Sequence, residues 1–384
     1  MTSIQREGLN VDVLARLVRK TALNEQITLP VAAAATYLGL TASSGHLAKL
    51  AQVIPSLGLQ SSVVSRTNVC KTGKVALALG TAGFLLSFND WLNKWFANNW
   101  TPAKKGEWNW EREIVVVTGA AAGLGESIVK KLLARNIKTT IVVVDFAPLS
   151  WTPPEGSNVH YYQADLSNSS VVKEVCQKIR TEVGHPTVLI NNAGIARGFT
   201  VLEGSYADTE LTIKTNLTAP FLMAQEFLPE MAKNNHGHMV SICSMSSVVA
   251  PPNLVVYAAT KNGVLSLHEG LQVELAHRHN AKKVRLTNVI PNFIKTPLFK
   301  GETGIPNFLA PLLHVETVSE SIADALYSGY GTTIILPGIM RYISMLRGGP
   351  EWMLRILRNS SKKYGIDFRG RQEISESGGL VAKA

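Results

Sequence analysis

The chain has 384 residues, 46% of them hydrophobic and 17% charged, and its mean hydropathy is +0.10. Such a chain builds a sizeable core and is not a disordered polymer, while its charged fraction lies below the roughly 25% usual for soluble domains and points to a membrane-proximal protein. Three scattered cysteines, Cys70, Cys176 and Cys243, exclude a disulfide framework and a CxxC metal site, and fit a reducing compartment or a cytosol-facing surface.

The net charge of +10 is uneven. Residues 1–112 carry 12 Lys/Arg against 6 Asp/Glu, residues 113–330 carry 17 against 18, and residues 331–384 carry 9 against 4. The core is therefore not basic, and a nucleic-acid partner is not expected. Basic flanks beside apolar runs suit an anionic membrane surface, with simple solubilising tails as the alternative.

In chain order, residues 1–112 read as a helical, membrane-associated extension. Val11, Leu14, Leu17 and Val18 recur at helical spacing opposite Arg16, Arg19 and Lys20, predicting a short amphipathic helix. Two apolar stretches follow, Ile27–Leu40 and Val75–Phe88, each short of the ~18–20 apolar residues of a spanning helix, so monotopic insertion or a hairpin is expected. A small helical subdomain packed on the core is the alternative. Trp91, Trp95, Trp100, Trp108 and Trp110 form a cluster that suits a membrane interface.

Residues 113–337 alternate apolar strands with helices, predicting an α/β fold of the Rossmann type, a doubly wound parallel sheet with helices on both faces. Strands are expected at 114–118, 139–145, 159–163, 187–190, 238–243, 284–290 and 332–336, with helices at 124–135, 168–183, 206–233, 254–279 and 317–328. Residues 338–384 form a basic amphipathic segment and tail, broken at Gly348, Gly349 and Pro350. It either lies on a membrane, covers a greasy channel or packs as an ordinary C-terminal helix, and the residues after Arg371 read as unstructured.

Gly119, Gly123 and Gly125 fall between the first strand and the first helix, with Leu124 among them. That context lets main-chain N–H groups and a helix N-terminus meet a pyrophosphate. Asp145 ends the second strand about twenty residues on, where a carboxylate accepts both hydroxyls of an adenosine ribose and repels a 2′-phosphate; NAD is therefore expected, with NADP as the alternative. Tyr257 and Lys261 lie four residues apart on one helical face. An adjacent ammonium and a cationic nicotinamide ring are expected to lower the phenol's pKa from its reference of ~10.

These motifs, together with Asp165-Leu166, Asn191-Asn192-Ala193-Gly194, Asn216 and Ser244 thirteen residues before Tyr257, resemble the short-chain dehydrogenase/reductase family from Glu113 to about Pro297. Phe227–Met231, Gly237-His238 and Leu267–Leu271 are similar to its membrane-associated branch of retinol and lipid-droplet 17β-hydroxysteroid dehydrogenases. One departure is Pro291-Asn292 where the family has Pro-Gly, a turn that Asn survives if it adopts the left-handed region.

The resemblance implies that Tyr257 exchanges the substrate proton and that Ser244 binds the developing carbonyl oxygen. It implies that Lys261 lowers the Tyr257 pKa and holds the nicotinamide ribose, and that Asn216 fixes a relay water. Asp165, Leu166, Asn192, Ala193, Gly194, Ile294 and Thr296 are expected to contact the cofactor, and no metal is needed. His236, His238, His277 and His279 read as surface or cap histidines, and Cys243 as a small strand residue.

The expected function is interconversion of a hydroxyl and a carbonyl on a lipophilic retinoid, steroid or long-chain alcohol at an endoplasmic-reticulum or lipid-droplet surface, with the catalytic domain in the cytosol. Reduction of an aromatic or polyketide-like ketone, epimerase-type chemistry and a non-catalytic cofactor-binding role are the alternatives. A homodimer or homotetramer is left open.

Overall fold

In a computed structural model, the structure describes residues 6–41, 66–104, 106–296, 298, 300–302, 306–361, 365–367, 373–374 and 380–381. The chain divides into two compact units, Asp12–Asn93 and Met1–Val11 with Lys94–Ala384.

In the first unit, α1 (Val11–Lys20) leads to α2 (Glu25–Thr41), which pairs with α3 (Arg66–Ala97). Glycines set the spacing of that pair. A Cβ on Gly83 would lie 2.0 Å from the Leu23 carbonyl oxygen, on Gly80 2.7 Å from Leu29, and on Gly73 3.3 Å from Ala35. The contacts run in opposite directions along the two helices, so α2 and α3 form an antiparallel hairpin held by small residues. Outward, Ile27, Val31, Tyr37, Val75, Phe84 and Phe88 are exposed.

One expectation is corrected here. Val75–Phe88 is the middle of a 32-residue helix, and Asn68–Ala97 is long and apolar enough to cross a membrane, with 17% of its most apolar window buried. Helix hydrogen bonds continue through the polar residues of Asn89–Ala97 that ended the apolar stretch in the sequence, because each turn's bonds are local.

The second unit is built on seven parallel strands: β1 (Ile114–Thr118), β2 (Thr140–Asp145), β3 (Asn158–Gln163), β4 (Val188–Asn191), β5 (Gly237–Ile242), β6 (Val284–Pro291) and β7 (Thr333–Leu336). Their order is 3-2-1-4-5-6-7, so the strand order reverses between β1 and β4, the crevice where this topology binds ligands. Past the first residue of β1 and of β2 the central strands are buried throughout, hence their uninterrupted Val/Ile runs.

On one face α4 (Gly123–Arg135) packs Ile128 and Leu132 with Val318, Ile322 and Leu326 of α9 (Val315–Ser328). On the other, α5 (Ser169–Glu182), α7 (Ala219–Asn234) and α8 (Val255–His277) bury Cys176, Met223, Phe227 and Leu275. The helix expected at 206–233 is α6 (Tyr206–Ile213) joined to α7 by a π-helical turn, Lys214–Thr218.

Two aromatic assignments also change. Trp108 and Trp110 belong to the catalytic unit: Trp110 is buried and stacks on Tyr327 at 4.1 Å, and Trp108 lies 4.4 Å from the His236 ring. The segment around Asn98 is clamped onto β6 and β7. Asn98 exchanges hydrogen bonds with Gly331, and buried Arg285 donates to the Asn98 carbonyl and to Thr101. His238 is buried, not superficial. Its ring accepts or donates to Thr287 at 2.8 Å, and burial pushes its pKa down to about 3.

After β7 come a 3-10 turn (Gly338–Met340), α10 (Arg341–Met345) and α11 (Glu351–Ser360). In the tail, Glu373–Ile374 pairs with Leu380–Val381, a short ribbon where none was expected; the other residues after Arg371 lie outside the described ones.

Candidate active site

The carboxyl ends of β1, β2, β4, β5 and β6 converge on one cavity of about 710 Å³. Gly119, Gly123, Leu124, Asp145, Asp165, Leu166, Asn192, Ala193, Gly194, Ser244, Tyr257, Lys261, Ile294 and Thr296 all lie on its wall. Of the catalytic and cofactor-binding residues expected from the sequence, Gly125 and Asn216 do not line it.

The glycine turn is shaped by close approach. Gly119 and Gly123 both have φ +66°, a region open to glycine. A Cβ on Gly119 would lie 2.7 Å from the Ala193 Cα, and one on Gly125 would lie 2.3 Å from the Gly119 carbonyl oxygen. Gly125 therefore lets α4 sit against the turn and does not itself face a ligand. The N-cap of α4 is Ala122, which offers no side-chain cap and leaves the helix's first N–H groups as donors beside the cavity. Asn192 ties the turn to β4, its amide donating to the Thr118 and Gly119 carbonyls at 2.9 and 2.8 Å.

Asp145 is held by two main-chain donors, Ala121 N–H at 2.8 Å and Ala147 N–H at 3.1 Å. Burial raises its carboxyl pKa, and those backbone hydrogen bonds pull it back. The strand's exit, Phe146–Ser150, forms a wall that the motifs did not reveal. It closes on the glycine turn through Ser150 Oγ to the Ala121 carbonyl at 2.7 Å and the Trp151 indole N–H to the Ala120 carbonyl at 3.0 Å. No spacing rule links Trp151 to Ala120, since the β2–β3 connection carries no helix. Among the described lining residues Lys261 is the single cation.

At the other group of residues, Tyr257 is hydrogen-bonded to Ser244. Lys261 Nζ donates to the Ile242 carbonyl at 2.8 Å and stands 5.7 Å from the Tyr257 ring centroid. Burial pushes the Tyr257 phenol up to about 12, outweighing the Ser244 hydrogen bond, and burial holds the Lys261 ammonium below its ordinary value. This reverses the expected lowering for the protein alone. The helical spacing fixes which face the two side chains share but not how far both are desolvated, and desolvation disfavours both charged forms. Burial likewise raises the Cys243 thiol to about 12, so this cysteine is inert; it lies just beyond the end of β5, not in the strand as the sequence suggests.

Asn216 is fully buried in the π turn. Its side chain is spent on Ile195, accepting from that N–H and donating to that carbonyl, both at 2.8 Å. It therefore braces the segment after β4 that carries Gly194, where a Cβ would stand 3.5 Å from Lys261 Nζ. Asn292 differs from expectation too. It is not in the left-handed region; its N–H donates to the Leu336 carbonyl at 2.8 Å. Its side-chain nitrogen, on the cavity wall, is buried and has no partner among the described residues. An uncapped helix end, a glycine cradle and this unpaired amide fit a bound dinucleotide. Among the described residues there is no cluster of His, Cys, Asp or Glu suited to a metal ion.

Comparison with known proteins agrees with this architecture. Residues 113–304 match the family model described as short chain dehydrogenase. The chain is 38% identical over 241 residues to "Dehydrogenase RED2" of Cochliobolus heterostrophus, covering 62% of this chain and 88% of that protein. It is 30% identical over 251 residues to "Estradiol 17-beta-dehydrogenase 11" of Rattus norvegicus, covering 64% and 83%. In fold it is similar to a short chain dehydrogenase/reductase from Burkholderia phymatum in complex with NAD, at TM-score 0.53 and 20% identity over 66% of this chain and 97% of that one. It is also similar to a short-chain dehydrogenase from Sphingobium yanoikuyae in complex with NADPH, at TM-score 0.51 and 23% identity over 63% and 95%.

The chain belongs to the short-chain dehydrogenase/reductase family. It is an oxidoreductase acting on CH–OH groups with NAD or NADP.

Proposed function

We propose that the enzyme interconverts a hydroxyl and a carbonyl on a lipophilic substrate with NAD, while held at a membrane by its N-terminal helices. The observation that carries the chemical part is that Ser244, Tyr257 and Lys261 share one cavity wall with the glycine turn and Asp145. The cofactor, when bound, supplies the hydride acceptor or donor. The glycine turn and the α4 N-terminus would hold its phosphates, Asp145 its ribose, and Ile294, Thr296 and the Asn292 amide its nicotinamide end.

In oxidation the Tyr257 phenolic oxygen takes the hydroxyl proton, and in reduction it returns one. Ser244, already hydrogen-bonded to that phenol, donates to the developing carbonyl oxygen and aligns it. A phenol near 12 is almost wholly protonated at neutral pH, so the phenolate that accepts the substrate proton needs positive charge close by. Lys261 supplies it by exchanging the Ile242 carbonyl for the ribose and Tyr257. Since the Asn216 side chain is committed to Ile195, its part is to position Gly194 and Lys261; a relay water would meet its main chain.

NAD preference is supported by Asp145 and by a lining in which the single cation among the described residues, Lys261, belongs to the proton-transfer group. A 2′-phosphate beside Asp145 would be repelled and unpaired. The lipophilic substrate and a membrane or lipid-droplet location are supported by the α2–α3 hairpin and its exposed apolar face, and a cytosolic catalytic unit by its free cysteines Cys176 and Cys243. The likeness to "Estradiol 17-beta-dehydrogenase 11" supports the same class. A second reading, a ketoreductase of an aromatic secondary metabolite, draws on the likeness to the fungal "Dehydrogenase RED2".

Nicotinamide absorbance on detergent-solubilised full chain, with retinoid, steroid, long-chain and short water-soluble alcohols, separates these. Turnover that rises with substrate apolar area and prefers NAD supports the proposal. Turnover confined to short soluble alcohols, or to aromatic ketones, removes it.

A further inference from the structure

The segment after β7 packs behind the wall that carries Ser244. Met340 and Ile343 pack in one cluster with Cys243 and Met245, the neighbours of Ser244. Arg347 donates to the Ser247 carbonyl at 2.5 Å, an acceptor shared with the Asn262 amide. α10 and the turn that leads into α11 are thereby fixed to the wall that carries Ser244. α11 then presents two apolar faces. Leu354 is buried, while Trp352 and Ile356, one turn apart, are each 63% exposed on the opposite side. Tyr342 and Met345 of α10 are exposed as well, at 57% and 71%.

Such a patch calls for a partner, and its charge says which. Residues 338–361 hold four arginines, Arg341, Arg347, Arg355 and Arg358, against one acid, Glu351. Glu351 is already paired with Arg358. A second copy on this face by two-fold symmetry would set arginines against arginines. Apolar side chains projecting among arginines instead match a surface that is greasy inside and negative outside.

We propose that the outer face of α10 and α11 seats on an anionic lipid bilayer, holding the Ser244 wall at the membrane surface. The purpose of that docking, delivery of a lipophilic substrate, rests on the function proposed above; the contact itself does not.

The test uses the full chain in a Cys70→Ser background, Cys176 and Cys243 being buried. An environment-sensitive fluorophore is placed at exposed Asn359 through Asn359→Cys. The protein is reconstituted into phosphatidylcholine vesicles with and without phosphatidylserine, each carrying nitroxide-labelled lipid. Docking predicts quenching that needs phosphatidylserine and weakens with salt. Arg355→Gln should lower the docked-to-undocked ratio about fivefold, and Trp352→Glu should abolish the quenching. A label unquenched in both vesicles, or quenched equally in both and indifferent to Arg355→Gln, overturns the proposal. So does a signal that depends on protein concentration in lipid-free detergent, which would put a second copy on this face. None of these readouts requires turnover, so failure of the functional reading and failure of the docking are told apart.

Discussion

Gly119→Ala is expected to damage stability and cofactor binding together, by an amount the geometry sets. Two costs add. Gly119 has φ +66°, and an L side chain in the left-handed region costs about 1–2 kcal/mol. The new Cβ would also meet the Ala193 Cα at 2.7 Å and its nitrogen at 3.0 Å. Those are backbone atoms of the segment after β4, so relief requires moving either that segment or the turn, at about 1–3 kcal/mol. A loss of about 3 kcal/mol overall corresponds to a Tm lower by roughly 10 °C for a unit of this size.

Gly156 supplies the control. Its φ is +77° with nothing within 4 Å of a Cβ, so Gly156→Ala bears the backbone cost alone, partly offset by a less flexible unfolded chain, for about 1 kcal/mol. Because the turn carries the donors for the phosphates, Gly119→Ala should also weaken NAD binding about 10- to 100-fold, the worth of one charge-assisted hydrogen bond. Thermal unfolding and calorimetric titration with NAD read the two effects. A Tm equal to that of Gly156→Ala, with unchanged NAD affinity, would refute the steric argument.

Asp145→Asn, which keeps an acceptor for the Ala121 or Ala147 N–H but removes the charge, should shift the NAD-to-NADP affinity ratio toward NADP on the order of tenfold, read by titration with each nucleotide. Trp151→Phe removes the indole bond to the Ala120 carbonyl and should cost about 1 kcal/mol of stability in urea unfolding, with a several-fold rise in the NAD dissociation constant. His268 is buried with neither ring nitrogen paired among the described residues, and burial lowers its pKa from 6.5 to about 4. The unfolded chain therefore binds a proton that the folded one refuses, so stability is full above pH 6.5 and falls as pH drops toward 4. His268→Leu should leave stability at pH 7 within about 1 kcal/mol and flatten that acid limb; an unchanged acid slope would sink the assignment.

Much of this was legible because the parallel sheet writes itself plainly. Strands buried on both faces have no use for polar residues, so Ile114–Thr118 and Ile141–Val144 stand out without alternation. The glycine turn and Tyr257–Lys261 are legible because their spacing is local. What escaped the sequence depends on contacts distant in the chain or on solvent exclusion. Trp151 reaches Ala120 across a connection with no helical pattern. Arg285 is a buried cation satisfied by Asn98 and Thr101, nearly two hundred residues earlier. His238 looks superficial until β5 and β6 close around it. The length of α3 was hidden because hydropathy marks where a helix is greasy, not where its hydrogen bonds stop. The Tyr257 phenol depends on burial, which four-residue spacing does not report.

The most direct test of the central claim is nicotinamide absorbance at neutral pH for wild type and Tyr257→Phe, on the full chain with a lipophilic alcohol and NAD, alongside NAD affinity. Proton transfer through Tyr257 predicts turnover lower by roughly 10²- to 10⁴-fold in the variant, with NAD affinity nearly unchanged. Turnover retained in Tyr257→Phe would contradict the account and remove Tyr257 from the chemistry.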